Sequence, residues 1–242
     1  LQSAGVAVLG GIGTDPSGAQ SFFAKDVFGN IFQIVESQEW FRGTQNAIGG
    51  VQGAVIGVSD VDSAVAFYQS VLGLDTVVYD STDAFDDFSP LPGGHRKFRR
   101  VLLTHSQPHQ GPFSRMFGST VLELVSTTGR KPTRIFQDRY WGDLGFIHLC
   151  FDIVGMDELK TAAAEAGHPF TVDSGETFDM GEAGGRFAYV EDPDGTLIEF
   201  VETHRLPIMK KWNWYLDLRK RNRVKPLPGF FFSLMGLMRV KK

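Results

Sequence analysis

Glu191-Asp192-Pro193-Asp194-Gly195-Thr196-Leu197-Ile198-Glu199-Phe200-Val201-Glu202 is an Asp-x-x-Gly turn running into a strand. The same design stands earlier in the chain at Lys25-Asp26-Val27-Phe28-Gly29-Asn30-Ile31-Phe32-Gln33-Ile34-Val35-Glu36. A third stretch, Ser119-Thr120-Val121-Leu122-Glu123-Leu124-Val125, repeats the strand without the turn. A strand repeated with a carboxylate or amide at one register describes a modular β protein whose modules gather polar side chains into one site.

Outward from these strands, each of two copies is preceded by a βα unit. Gly53-Ala54-Val55-Ile56-Gly57-Val58 reads as a short strand, and Ser59-Asp60 sits where a helix N-cap belongs. Val61, Val65, Tyr68 and Leu72 then recur at helical spacing before Gly73 stops the helix. The later copy has Ile147 to Ile153 as strand, Met156, Leu159 and Ala163 as an apolar stripe, and Gly167 as the stop. Between each helix and its repeated strand, segments rich in Thr, Val, Phe and Tyr read as strands of a meander. The expected fold is α+β: tandem βαβββ modules with curved mixed sheets that pair to form a cup. Residues 50–127 and 144–204 are full modules, and 1–42 is the C-terminal half of another. Ser3-Ala4-Gly5-Val6 aligns with Glu165-Ala166-Gly167-His168 at a helix end, so roughly thirty residues of the first module are expected upstream of Leu1. The loop-rich stretch 80–118 is of the kind that closes over sites.

The chain has 242 residues and a 42% hydrophobic composition, enough for a globular core. No apolar run reaches the roughly 20 residues of a membrane span, and the first residues lack the regions of a signal peptide, so a soluble protein is expected; the compartment stays open, with the cytoplasm slightly favoured. One cysteine, Cys150, excludes an internal disulfide framework and a multi-thiolate zinc site. The net charge of −4 conceals a division: residues 205–242 hold eleven Lys or Arg against one acid, Asp217, a balance of +10 that leaves −14 on the rest. This basic, aromatic tail has two readings, a strap across the acidic body or a subunit interface, which is favoured, and contact with an anionic membrane surface. The acidic body argues against nucleic acid.

Side chains alternate along a strand, so register decides which residues share a face. If Leu149, Phe151 and Ile153 face a covering helix, His148, Cys150 and Asp152 face the other way. Leu122 and Leu124 likewise leave Glu123 opposite, and Ile198 and Phe200 leave Glu199 opposite. Glu123, His148 and Glu199 are thus expected on helix-free faces. Two carboxylates and an imidazole suit a divalent cation of the Zn, Ni, Fe or Mn type, or a metal-free acid/base site.

Val58-Ser59-Asp60-Val61-Asp62-Ser63-Ala64-Val65-Ala66-Phe67-Tyr68-Gln69-Ser70-Val71-Leu72-Gly73-Leu74, Leu122-Glu123-Leu124, Gly145-Phe146-Ile147-His148 and the Asp192 to Glu199 turn and strand resemble the vicinal oxygen chelate superfamily, the glyoxalase, extradiol dioxygenase and bleomycin-resistance group. The resemblance covers about residues 50–204 well and 1–36 as a half module. It implies metal ligands at Glu123, His148 and Glu199, with a fourth position falling on Gly53, which offers no donor. In the first module the corresponding last-strand residue is Gln33. The preferred arrangement pairs the second and third modules around the site.

The leading expectation is a metal-dependent lyase- or isomerase-type enzyme acting on a small oxygenated substrate, with a glutamate, Glu123 or Glu199, as base. The alternatives are a metal-free protein that sequesters a small ligand, and a structural module acting through its tail; a homo-oligomer fits all three. His95, His105, His109, His168 and His204 read as structural, Cys150 as packing, and Arg99, Arg100 and Arg115 as surface residues or contacts to an acidic substrate.

Overall fold

A computed structural model describes residues 1, 5–39, 49–175, 178–179, 184–209 and 214–235. Ser3 and Ala4 of the expected helix end lie outside these residues, as do Lys210, Lys211, Trp212 and the tail from Gly236 onward. The first half module is a three-stranded antiparallel sheet of β1 (Ala7–Thr14), β2 (Gln20–Lys25) and β3 (Ile31–Val35). The Asp26 carboxylate builds the turn before β3 by accepting from the backbone N–H groups of Phe28 and Asn30.

The second module runs β4 (Gly53–Gly57), α1 (Val61–Leu72), β5 (Thr76–Ala84), β6 (Lys97–Thr104) and β7 (Val121–Thr127). Its sheet order is β4-β7-β6-β5, with β4 parallel to β7 and the other pairs antiparallel. Helix α1 starts where Asp60 accepts from the N–H groups of Asp62 and Ser63, and it stops at Gly73, whose φ of 68° is left-handed. Its stripe buries Val61, Ala64, Phe67, Tyr68 and Val71. The third module repeats the plan with β8 (His148–Asp152), α2 (Met156–Glu165), β9 (Val172–Asp173), β10 (Phe178–Asp179), β11 (Gly184–Glu191) and the long β12 (Leu197–Met209). There β8 is parallel to β12, β12 pairs with β11, and β11 pairs with β9 and β10.

The second and third modules join by their helix sides. One core contains Ile56, Val101, Leu103, Leu122 and Leu124 from the second sheet, Ala188, Val190, Ile198 and Phe200 from the third, and buried residues of both helices. Each buried Leu or Phe in such a core contributes about 1.5–3 kcal/mol, so the apolar stripes of α1 and α2 favour this joint over one between the polar faces. Phe67 meets His168 edge to face at 4.7 Å, which accounts for that histidine. The half module packs instead against a 3-10 turn at Asp86–Phe88: Phe23 meets Phe88 at 6.0 Å, and the backbone at Gly10 and Gly13 lies close against Pro90 and Asp87.

The tail straps the body. Strand β13 (Trp214–Asp217) pairs with the end of β12, and helix α3 (Gly229–Met235) follows. Phe113, Leu218, Leu227 and Phe232 bury one another in a second cluster. Membrane-surface contact by residues 205–242 finds no support in the described part: Leu218, Leu227 and Phe232 are buried with Phe113, and no described helix is long and apolar enough to cross a membrane.

Candidate functional site

On the helix-free face of the third module, β8, β12 and β11 lie side by side. The parallel register sets Cys150 beside Glu199, and the antiparallel register sets Tyr189 on its other side. Phe200 and Ile198 are fully buried on the opposite face, as alternation requires. His148 Nε2 stands 2.9 Å from Glu199 Oε2, with both side chains partly exposed. Tyr189 and Cys150 thus flank Glu199 on the two neighbouring strands. Burial and the Glu199 carboxylate push the Cys150 thiol up to about 12 and raise the Tyr189 hydroxyl above its ordinary value. The indole of Trp141 stacks on the His148 ring at 5.6 Å, tilted by 15°, and Tyr189 meets that ring edge on. His148 Nδ1 is buried without a hydrogen-bond partner. An open hollow of about 580 Å³ adjoins the face, lined by Arg134, Phe136, Gln137, Glu191 and Leu197. Leu197 is the register partner of His148, and Phe136 touches Trp141.

The equivalent face of the second module is closed. Glu123 is 4% exposed, and its Oε1 accepts from Tyr79 Oη at 2.7 Å and Arg100 Nε at 2.5 Å. Arg100 is fully buried and forks its Nη1 onto both oxygens of Asp87 at 2.8 Å. Its guanidinium lies 3.7 Å from the Phe88 ring centre and 4.7 Å from that of Phe85. Burial opposes the charge on Arg100, but the carboxylate bonds outweigh it and hold its pKa above the ordinary value.

A model of the Glyoxalase/Bleomycin resistance protein/Dioxygenase superfamily matches residues 50–200, more than half of the chain. The chain belongs to that superfamily. Among solved structures it resembles glyoxalase I from Zea mays, with 16% identity over 83% of this chain and 60% of that one, at a TM-score of 0.51. It also resembles a glyoxalase family protein from Bacillus cereus, 14% identical over 67% of this chain and 99% of that one, at a TM-score of 0.48. At such identity the maize likeness concerns the fold, and the chain spans 60% of the maize protein's length. A search of curated proteins found no match.

The superfamily fold thus places all three expected ligands on the faces their register indicated, but it brings only two together. His148 and Glu199 meet; Glu123 is enclosed with Arg100 and Asp87 on the other sheet. The expected arrangement of a single cup between the second and third modules is corrected accordingly, because apolar helix stripes join those modules. Among the described residues no group of three or more His, Cys, Asp or Glu is placed to hold a metal ion. His148 Nε2 and Glu199 Oε2 are close enough to bind one ion together, and the pair supplies two protein donors where a catalytic zinc site has three. The Gly53 position does not fit, since a Cβ there would run into the backbone oxygen of Val121. Gln33 bonds Ser21 within the first sheet.

The other candidates fall into structural roles. His105 Nε2 contacts the Leu72 carbonyl at 3.0 Å and its ring meets His109 edge on; His204 contacts Glu202; His95 lies in an exposed turn. Arg99 is held by Asp62 and Asp80. Sequence reasoning missed Tyr189, Trp141, Tyr79 and Asp87, and it read Arg100 as a surface residue or a contact to an acidic substrate. The alternation rule applied to β6 would have found Arg100: Val101 and Leu103 face the helix, so Arg100 and Leu102 share the face of Glu123.

Proposed function

We propose that the chain is an enzyme of the lyase or isomerase type that acts on a small oxygenated molecule at the helix-free face of the third module. The observation that carries this reading is the His148 to Glu199 contact of 2.9 Å, beside an open hollow of about 580 Å³ that falls in the size range of small-molecule sites. Phe136, Trp141 and Leu197 take the apolar part of the substrate. Glu199, in contact with His148 and flanked by Tyr189 and Cys150 on the neighbouring strands, is the proton acceptor for a carbon acid or hydroxyl. His148, steadied by Trp141 and in contact with Glu199 through Nε2, returns the proton. His148 and Glu199 are also the residues that would hold a divalent cation of the Zn, Ni, Fe or Mn type, which would polarise a bound substrate oxygen. The metal site of the sequence expectation is thereby reduced from three protein donors to two. The enzyme reading includes a homo-oligomer, which light scattering checks.

A metal-free binding protein is the second reading, favoured by the engagement of Glu123 with Arg100. Metal analysis of protein purified without chelator separates the two. About one cation per chain, lost in His148→Ala, supports the enzyme. A metal-free protein that keeps its small-molecule affinity and shows no turnover supports the second reading and overturns the first.

A further inference from the structure

The resemblance that placed a metal ligand at Glu123 and the geometry at Glu123 disagree. We propose that the Arg100 guanidinium takes the place of a divalent cation on the second module's face, making it a closed, metal-independent ion cluster, so that any metal held by this chain belongs to the third module. The inference does not depend on whether the third module binds metal.

Four observations carry it. First, Glu123 Oε1 receives both Arg100 Nε and the Tyr79 hydroxyl, so a metal taking that oxygen would have to displace two hydrogen bonds inside a site with almost no solvent contact. Second, Arg100 spans both acids, Glu123 through Nε and Asp87 through a forked Nη1. A divalent ion entering beside that fixed guanidinium meets like-charge repulsion in surroundings of low polarity. Third, the cation lies against the faces of Phe88 and Phe85, which suit a flat, weakly hydrated guanidinium and offer no ligand atom to a metal. Fourth, the enclosed part of the cluster that lacks a partner is a donor. Arg100 Nη2 is buried without a partner, and as a donor it calls for an oxygen such as that of water, and not for a cation. The backbone at Gly53, close against Val121, leaves no room for a further ligand from β4.

The placement also explains why the half module docks here. Asp87 and Phe88, two of Arg100's partners, belong to the 3-10 turn on which β1 and β2 rest, with Gly13 against Asp87 and Phe23 against Phe88. A fixed internal cation would hold that turn without loading or losing an ion.

The test uses the full chain labelled with 15N at the arginine side chains and the histidine rings, titrated with zinc. The Arg100 Nε–H signal is expected to be protected from solvent exchange and to keep its shift and protection as zinc is added. In Glu123→Gln that protection falls while zinc uptake stays at the wild-type level. Zinc that shifts and deprotects the Arg100 signal overturns the proposal, as does a loss of zinc affinity of about tenfold or more in Glu123→Gln. If that variant fails to fold, the wild-type titration decides alone. The His148 ring signals report separately: unchanged rings beside a protected Arg100 would remove the metal from the proposed function and leave this inference standing.

Discussion

Tyr68 Oη donates a 2.9 Å hydrogen bond to Asp192 Oδ2, joining the helix of the second module to the Asp-Pro-Asp-Gly turn of the third. Both residues are buried. The other oxygen of Asp192 accepts from the N–H groups of Asp194 and Thr196, and Asp194 in turn accepts from the N–H of Ser59 just before α1. The two most specific motifs of the sequence therefore bind each other across the module joint. Tyr68→Phe leaves a buried carboxylate oxygen without its donor and is expected to cost about 1–3 kcal/mol. Denaturant unfolding measures this, and a cost near zero would mean that the contact does not hold the joint.

The Arg100 cluster is expected to be more sensitive. Glu123→Ala removes one acid from an enclosed guanidinium and leaves Tyr79 without its acceptor, which should destabilise by about 3–5 kcal/mol. Arg99→Ala on the same strand breaks only exposed pairs with Asp62 and Asp80 and should cost about 1 kcal/mol or less. Equal losses from the two variants in parallel melts would contradict the closed cluster.

The contrast between these neighbouring arginines shows what the sequence made legible. Strand phase was readable because Leu122, Leu124, Ile198 and Phe200 alternate with polar residues, and all four are fully buried on the helix side. Helix limits were readable from Asp60 and Gly73, which act as caps by local chemistry alone. The partner of each polar face was not readable. Alternation names a face, while what meets that face depends on packing between distant segments, as when the turn at Asp86–Phe88 brings Asp87 onto Arg100. Trp141 lies in a long connection without periodic pattern, so its stack on His148 left no signal in spacing.

Cys150 tests the proposed active face directly. Its thiol reaches solvent, yet burial of its surroundings and the Glu199 carboxylate push it up to about 12. Thiolate is the reactive form, so alkylation by iodoacetamide near neutral pH should run more than about tenfold slower than for a free thiol. Glu199→Gln removes a negative charge and an acceptor and should speed the reaction. A fast wild-type reaction, unaffected by that variant, would separate Cys150 from Glu199.

Restoring a ligand side chain at Gly53 should fail for a packing reason. A Cβ at this position would stand against the backbone oxygen and side chain of Val121, the residue that Gly53 faces in the parallel ladder. Gly53→Gln is therefore expected to destabilise by about 1–3 kcal/mol through forced separation of β4 from β7. It should not raise metal content. A stable variant with increased metal uptake would show that the strand yields.

Asp152, further along the strand from His148, supplies a prediction in pH. Burial within the module and the nearby Glu202 carboxylate push it up to about 7, although part of the side chain touches solvent. A raised value means that the folded chain holds this proton more tightly than the unfolded chain does. The resulting stabilisation is complete below the ordinary carboxylate range, about pH 4, and is lost as pH rises towards about 7. Above that range Asp152 carries a charge that opposes folding, so Asp152→Asn should be more stable than wild type, by less than a fully enclosed carboxyl would give. The advantage should shrink as pH falls and vanish near pH 4, where both side chains are neutral. Unfolding midpoints of the two proteins across this range measure the difference, and curves that stay parallel would mean that Asp152 titrates like an ordinary surface carboxylate.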